Sequence, residues 1–312
     1  MRFVEARRAR GLGFRRRPGA HSAFLTVAAV VTGVIVLVIV AGHHEIGPSF
    51  GALGRGAFGS AYAIWSATLV RATPLTLLGL AVALAFRAGV MNIGAEGQFL
   101  AGASAASAVA LRVPDAPAIL LVAIPAAVIA GALWSSIAGW LKHRFGVLEV
   151  ISTLMLNFVA QYLVSYLVRG PLQEPTHVYP QTASFSSTAH LPLLITGQRL
   201  HLGYAIAVVL AVVLWWMLRA TGLGFRLRAV GAGAAAAESA GRIMVPRVMF
   251  TAFLLSGAIA GLAGGVEVTG VTYALYEGIS PGFGYTAIAV ALLARLNPLA
   301  VIGTGLFFWA LE

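Results

Sequence analysis

Long apolar runs constrain this chain more than any other feature. The first, residues 24–41, is followed by eight more at about 57–86, 97–111, 117–140, 147–168, 202–218, 248–267, 284–295 and 298–311. A helix of about 20 apolar residues crosses the hydrocarbon layer of a bilayer, and most of these runs approach that length. With 59% hydrophobic and only 10% charged residues, a soluble domain could not hide the apolar surface. The expected fold is therefore all-α: a polytopic transmembrane bundle of about nine spans.

The run at 24–41 follows the basic stretch RRARGLGFRRRP. It is longer than an ordinary signal-peptide core, and no A-x-A site follows, so a retained first helix is expected. Residues 1–23 then form a basic cytoplasmic segment and 24–312 a single membrane domain. Alternating sides from a cytoplasmic N-terminus places 16 of the 21 basic residues inside. Arg55, Arg112, Arg169 and Arg199 fall outside and Arg71 within a run, which satisfies the positive-inside rule. The net charge of +11 is accounted for by topology, and no nucleic-acid partner is expected.

Two connections exceed simple turns. Residues 169–200 form an external loop rich in Pro, Ser, Thr and Gln. Residues 219–247 lie inside, and their Ala-rich centre between Gly and Pro predicts one or two short surface helices. The chain has no cysteine, a single lysine (Lys142) and no G-x-x-x-x-G-K-[ST] loop, so it carries no thiolate metal site and no ATPase of its own. Its histidines lack metal-ligand spacing, and the one aspartate, Asp115, sits in an external turn away from any Ser-His pair. A membrane-embedded enzyme is disfavoured.

The remaining signal is polar residues at membrane depth, which are costly and tend to mark a cavity or partner. Glu96, Glu149 and Glu267 qualify. Each also has a structural reading: Glu149 complements a helix dipole, Glu267 is wet at the outer end of its span, and Glu96 caps the helix that follows it. Two runs are broken by glycine and proline in a similar way, GVMNIGAEGQ (residues 89–98) and YEGISPGFGYTAIAVALL (residues 276–293). Paired interruptions in the two halves of a transporter point to a site near the midplane.

Four blocks carry a family resemblance. LVRATPLTLLGLAVALAFRAGVMNIGAEGQFLAGA, EVISTLMLNFVAQYLVSYLVRGPL, AFLLSGAIAGLAGGVEVTGV and EGISPGFGYTAIAVALLARLNPLAV occur in this order. Together they resemble the permease subunits of binding-protein-dependent ABC importers for nucleosides and simple sugars. The resemblance implies a bacterial plasma-membrane protein that pairs with a second, usually non-identical permease. A cytoplasmic ATP-binding subunit drives it, and an external lipoprotein delivers the solute. No cofactor is expected on this chain, since ATP belongs to the partner. Asn92, Glu96, Gln98, Ser152, Thr153, Asn157, Glu267, Phe283 and Tyr285 are the implied path residues, with the two aromatics offering faces to a base or sugar ring. Gly231, Glu238 and Gly241 are the implied contacts to the ATPase, although GAGAAAAESAG lacks the Asn-Pro and arginine usual before that last glycine. Such permeases usually continue beyond the run at 298–311, so ten spans are expected if the chain extends past Glu312. The alternatives are an ABC permease for another small solute, such as a different sugar or a branched-chain amino acid, and an ion-coupled secondary transporter.

Overall fold

The computed structural model describes residues 46–113, 118–239 and 243–311, together with residues 32, 33, 36, 37 and 40. The basic segment 1–23, most of the first apolar run, Asp115 and Gly241 lie outside the described residues. The chain separates into two units, Met1–Ala52 and Leu53–Glu312. A first helix, α1 (Ile46–Phe58), begins in the former and ends in the latter.

The second unit is helical, with no strand among the described residues beyond isolated bridges. Its long helices are α2 (Ala63–Arg87, opening on a π-turn), α3 (Ala95–Arg112), α4 (Leu120–Phe145), α5 (Glu149–Arg169) and α6 (Leu202–Ala220). Two short helices follow, α7 (Gly222–Ala232) and α8 (Ala234–Ser239), where the Ala-rich connection was expected to fold. Then come α9 (Val245–Glu267, extended by a π-turn to Thr272), α10 (Phe283–Leu293) and α11 (Pro298–Leu311). Five of these, α2, α4, α5, α6 and α9, are long and apolar enough to cross a membrane, while α10 and α11 are shorter apolar helices.

Each helix from α2 to α6 carries a basic residue in its last turn, with Arg112 and Arg169 closing α3 and α5 away from the others. Arg87, Lys142, Arg144 and Arg219 close α2, α4 and α6 at one end of the bundle, here called the basic end. Cations in a last turn complement the helix dipole there. Gly146, in the left-handed conformation (φ 68°), terminates α4. Lys142 then reaches Glu149 at 2.6 Å, tying α4 to the start of α5.

Three helices make the centre. α3 is buried on nearly all sides, and α9 packs against α4, α3 and α2. The closeness of this crossing depends on Gly261 of α9, which lies against Gly102 of α3 and Gly131 of α4. A Cβ on Gly261 would overlap the Ala127 carbonyl oxygen and come within 2.9 Å of the Gly131 Cα. Without a hydrophobic force between helices in lipid, such backbone proximity supplies the packing attraction. By contrast, α4, α5 and α6 keep most of their apolar surface outward. That surface suits lipid or a protein neighbour.

The connection 169–200 contains only a short 3-10 turn, Ser187–Ala189, and folds over the segment that follows α9. Thr182 and Phe185 donate their backbone N–H groups to Leu275 and Tyr273, both at 2.8 Å. His190 stacks on Tyr273 with centroids 3.9 Å apart.

Candidate functional site

Both sequence interruptions are real breaks of helix, and they meet. After Arg87 the chain leaves the basic end, runs without helix from Val90 to Ile93, and resumes helix at Ala95. From the opposite end, the segment after Thr272 descends through Ser280 to Gly282 and starts α10 at Phe283. The first turns of α3 and α10 are in contact. Gly284 N–H donates to Glu96 Oε2 at 2.7 Å, and a Cβ on Gly284 would lie 2.6 Å from the Glu96 Cα.

Glu96 thus lies in the first turn of its own helix and caps the other. The sequence suggested a cap for the helix that follows it; the structure shows its carboxylate bonded to the N-terminus of α10, 188 residues away. Ser280 is a second hydrogen-bonding partner. Each helix N-terminus carries about half a positive charge, so one carboxylate answers two of them. The side chain is 1% exposed, which reserves it for this duty in the isolated chain.

A second layer holds the first break open. Asn92 and Gln98 pair reciprocally: Asn92 Nδ2 donates to Gln98 Oε1 at 3.1 Å, and Gln98 Nε2 donates to Asn92 Oδ1 at 3.0 Å. Asn92 Oδ1 also receives Gly94 N–H at 3.0 Å, while Asn92 Nδ2 also donates to Ser256 Oγ at 3.0 Å. Ser256 in turn donates to the Ala81 carbonyl at 2.8 Å. From α5, Asn157 accepts Gly97 N–H at 2.9 Å and donates to the Ile93 carbonyl at 3.0 Å. Thr153 Oγ1 accepts Ile93 N–H at 3.3 Å. These side chains supply the partners that a non-helical backbone would otherwise lack inside a helical bundle.

Asn157→Leu therefore removes partners from both Gly97 N–H and Ile93 C=O. Each unsatisfied buried group costs about 1–3 kcal/mol, so a drop of several degrees in Tm is expected in a detergent melt. Asn157→Asp, which keeps the acceptor for Gly97, should lose less.

The outer wall is aromatic. Asn157 Nδ2 reaches the Tyr285 hydroxyl at 3.2 Å, and the Tyr285 ring is 37% exposed. Phe283, half-buried, meets Phe99 edge-on at 6.1 Å. Met91, in the first break, is 48% exposed. On α5, Met155, Phe158, Tyr162, Ser165 and Arg169 recur at steps of three and four, which places them on one side of the helix. Ser165 and Arg169 on that side bind Glu277, just ahead of α10. The hydrogen bond from Ser165 and the Arg169 guanidinium hold the Glu277 carboxyl below its ordinary 4.5.

Other expected site residues fall elsewhere. Ser152 is buried and bonds only its own helix, to the Leu148 and Glu149 carbonyls. Glu267 stands eleven residues beyond Ser256 on α9, about 16 Å at a rise of 1.5 Å per residue, and belongs to the opposite end of the bundle, where it is buried rather than wet as the sequence suggested. Gly231 is held against the backbone of Arg87 to Gly89, so α7 packs directly under the first break. Glu238 is exposed on α8. Sequence reasoning passed over Ser256, Ser280, Met91, Phe158 and Tyr162. The aromatic spacing along α5 was the available signal for the last two; Ser280 accepts the Gly282 and Phe283 N–H groups just ahead of α10, a local capping signal, whereas Ser256 is linked to the site only through long-range contacts.

An apolar helical bundle in which two interrupted helices meet N-terminus to N-terminus, over a buried amide cluster, has the architecture of a multi-pass membrane transport protein. The chain belongs to the family described as branched-chain amino acid transport system / permease component, whose profile matches residues 64–312. It is 43% identical over 251 residues to a glucose ABC transporter permease protein of Haloferax volcanii, covering 77% of this chain and 66% of that one. It is 39% identical over 282 residues to a guanosine ABC transporter permease protein of Bacillus subtilis, covering 88% and 80%. A nucleoside ABC transporter permease protein of Lactococcus lactis is 32% identical over 270 residues, covering 82% and 73%. No solved structure matches the chain.

Proposed function

We propose that this chain is the membrane-spanning subunit of an ATP-driven importer for a nucleoside, with a purine nucleoside as the favoured solute. The observation that carries this reading is the meeting of the two broken helices, α3 and α10, beside the exposed Tyr285 ring and the aromatic side of α5. A nucleoside offers a flat base for stacking and hydroxyls for hydrogen bonds, with no fixed charge. Tyr285, Phe283, Met91, Phe158 and Tyr162 provide the faces. Asn92, Glu96, Gln98, Thr153 and Asn157 hold them in place from behind, and Ser152 and Glu267 are assigned no direct contact.

In this reading the path runs between this chain and a second permease subunit that covers the side of α5. An ATP-binding subunit engages the basic end through Gly231, Glu238 and Gly241, the last outside the described residues. A solute-binding lipoprotein docks at the opposite end. The described spans, with α3, the shorter α10 and α11 and the apolar run 24–41, make about nine crossings from a cytoplasmic N-terminus in a plasma membrane. The chain holds no cofactor, and ATP is hydrolysed on the partner. A simple sugar is the second reading, favoured by the identity to the haloarchaeal glucose permease protein.

The test is uptake into proteoliposomes containing the assembled permeases, ATPase and binding protein. Labelled guanosine should enter only with ATP, and unlabelled glucose in excess should not compete. Competition by glucose would move the assignment to the sugar. Guanosine entry driven by an ion gradient, without ATP or the ATPase, would refute an ATP-coupled importer.

A further inference from the structure

At the basic end, a groove of about 630 Å³ opens where α2, α6, α7 and the turn between α10 and α11 converge. Its walls include Arg87, Arg219, Arg228 and Arg295, each from a different one of these elements, and no carboxylate. None of the four forms an ion pair among the described residues, where the two salt bridges are Lys142–Glu149 and Arg169–Glu277.

Helix dipoles do not explain this concentration of charge. The C-termini of α2, α6 and α10 open into the groove, each worth about half a negative charge, and the N-terminus of α11 returns about half a positive one. That leaves an excess of about three positive charges to be balanced from outside the chain.

Two details show that the groove is shaped rather than merely basic. The Arg219 guanidinium lies over the Trp215 ring, 4.7 Å from its centroid, which fixes it to the wall. Arg295 and Leu296 are consecutive left-handed residues, at φ 53° and 57°. Neither is glycine, and such backbone is retained only where its surroundings impose it.

The position names the source of the anion. The groove sits at the ends of apolar helices, and Trp215 and Trp216 lie one turn before the end of α6, with Trp216 largely exposed. Tryptophans at helix ends mark the headgroup level of a bilayer, and basic pockets between helices at that level bind anionic headgroups. We propose that this groove is a binding site for the phosphodiester of an anionic phospholipid, clamped by Arg219, Arg228 and Arg295 with Arg87 at its floor.

The test uses the full chain in nanodiscs of phosphatidylglycerol or phosphatidylcholine, reading the lipid retained on mild delipidation and the melting temperature. Wild type should retain phosphatidylglycerol preferentially, and the triple variant Arg219→Gln/Arg228→Gln/Arg295→Gln should weaken that retention by about 100-fold. The charge-matched control Arg55→Gln/Arg112→Gln/Arg199→Gln should behave as wild type. If the triple variant does not fold, Ala300→Trp, which fills the groove and leaves every arginine in place, should show the same loss. Four results would each overturn the proposal: no lipid preference in wild type, as expected if the groove instead receives an acidic partner protein; equal loss in the control; unaltered retention with Ala300→Trp; or full protection of the lipid-free chain by inorganic phosphate, which would assign the groove to a soluble anion.

Discussion

Replacing Glu96 by alanine lowers solute uptake by about 100-fold while the variant still co-purifies with its ATP-binding subunit. The magnitude follows from what the carboxylate joins. A hydrogen bond to a charged group contributes about 1.5–3 kcal/mol, and a carboxylate at a partly buried helix N-terminus adds up to about 2 kcal/mol. Losing both at the contact between α3 and α10 removes about 3 kcal/mol or more, close to a hundredfold in any equilibrium that needs the two half-helices aligned. Glu96→Gln retains an acceptor for Gly284 N–H and should lose only about tenfold. The ATPase interface lies at the basic end in the proposed arrangement, beyond the reach of this change, so assembly serves as the control. An alanine variant with undiminished uptake would show that transport does not need the two breaks to be joined.

Gly261→Leu should leave no monodisperse protein at all. Its side chain would be driven into α4, where the Ala127 carbonyl oxygen and the Gly131 backbone already occupy the space it needs. Overpacking a well-fitted core costs about 1–3 kcal/mol when side chains can yield; here the obstruction is the backbone of α4, so α4 and α9 would have to separate. Size-exclusion chromatography after mild extraction reads the outcome, with Gly303→Leu as the comparison, since nothing lies within 4 Å of a Cβ there. Equal recovery of the two variants would mean that the crossing tolerates separation.

The sequence announced the helices through apolar length and the breaks through glycine and proline, because both signals are local. The ends of α2 at Arg87 and of α4 at Gly146 lie beside basic residues and a glycine that say as much on their own. The division of the 219–247 connection into α7 and α8 was likewise legible from alanine flanked by glycine. What could not be read was pairing. Nothing in the spacing around Glu96 specifies Gly284 as its partner, and nothing near Asn92 specifies Ser256. The three intramembrane glutamates hold three positions: Glu96 between two helix starts, Glu149 at the start of α5 beside Lys142, and Glu267 far along α9; of the three sequence readings, only the dipole role of Glu149 needed no tertiary partner. Tertiary distance, set by how α3 threads between α4 and α9, separates them.

The path itself can be tested through the absence of cysteine from the 312 residues, which makes any introduced thiol the one label site on this chain. Tyr285→Cys and Leu78→Cys, one at the exposed wall and one fully buried in α2, are placed in the assembled transporter and exposed to a membrane-impermeant maleimide. The thiol at 285 should be modified, a transported nucleoside should slow the modification, and the thiol at 78 should stay inert. A thiol at 285 that is unreactive throughout the transport cycle, or that reacts at the same rate with and without solute, would contradict a translocation path running past the junction of the two broken helices.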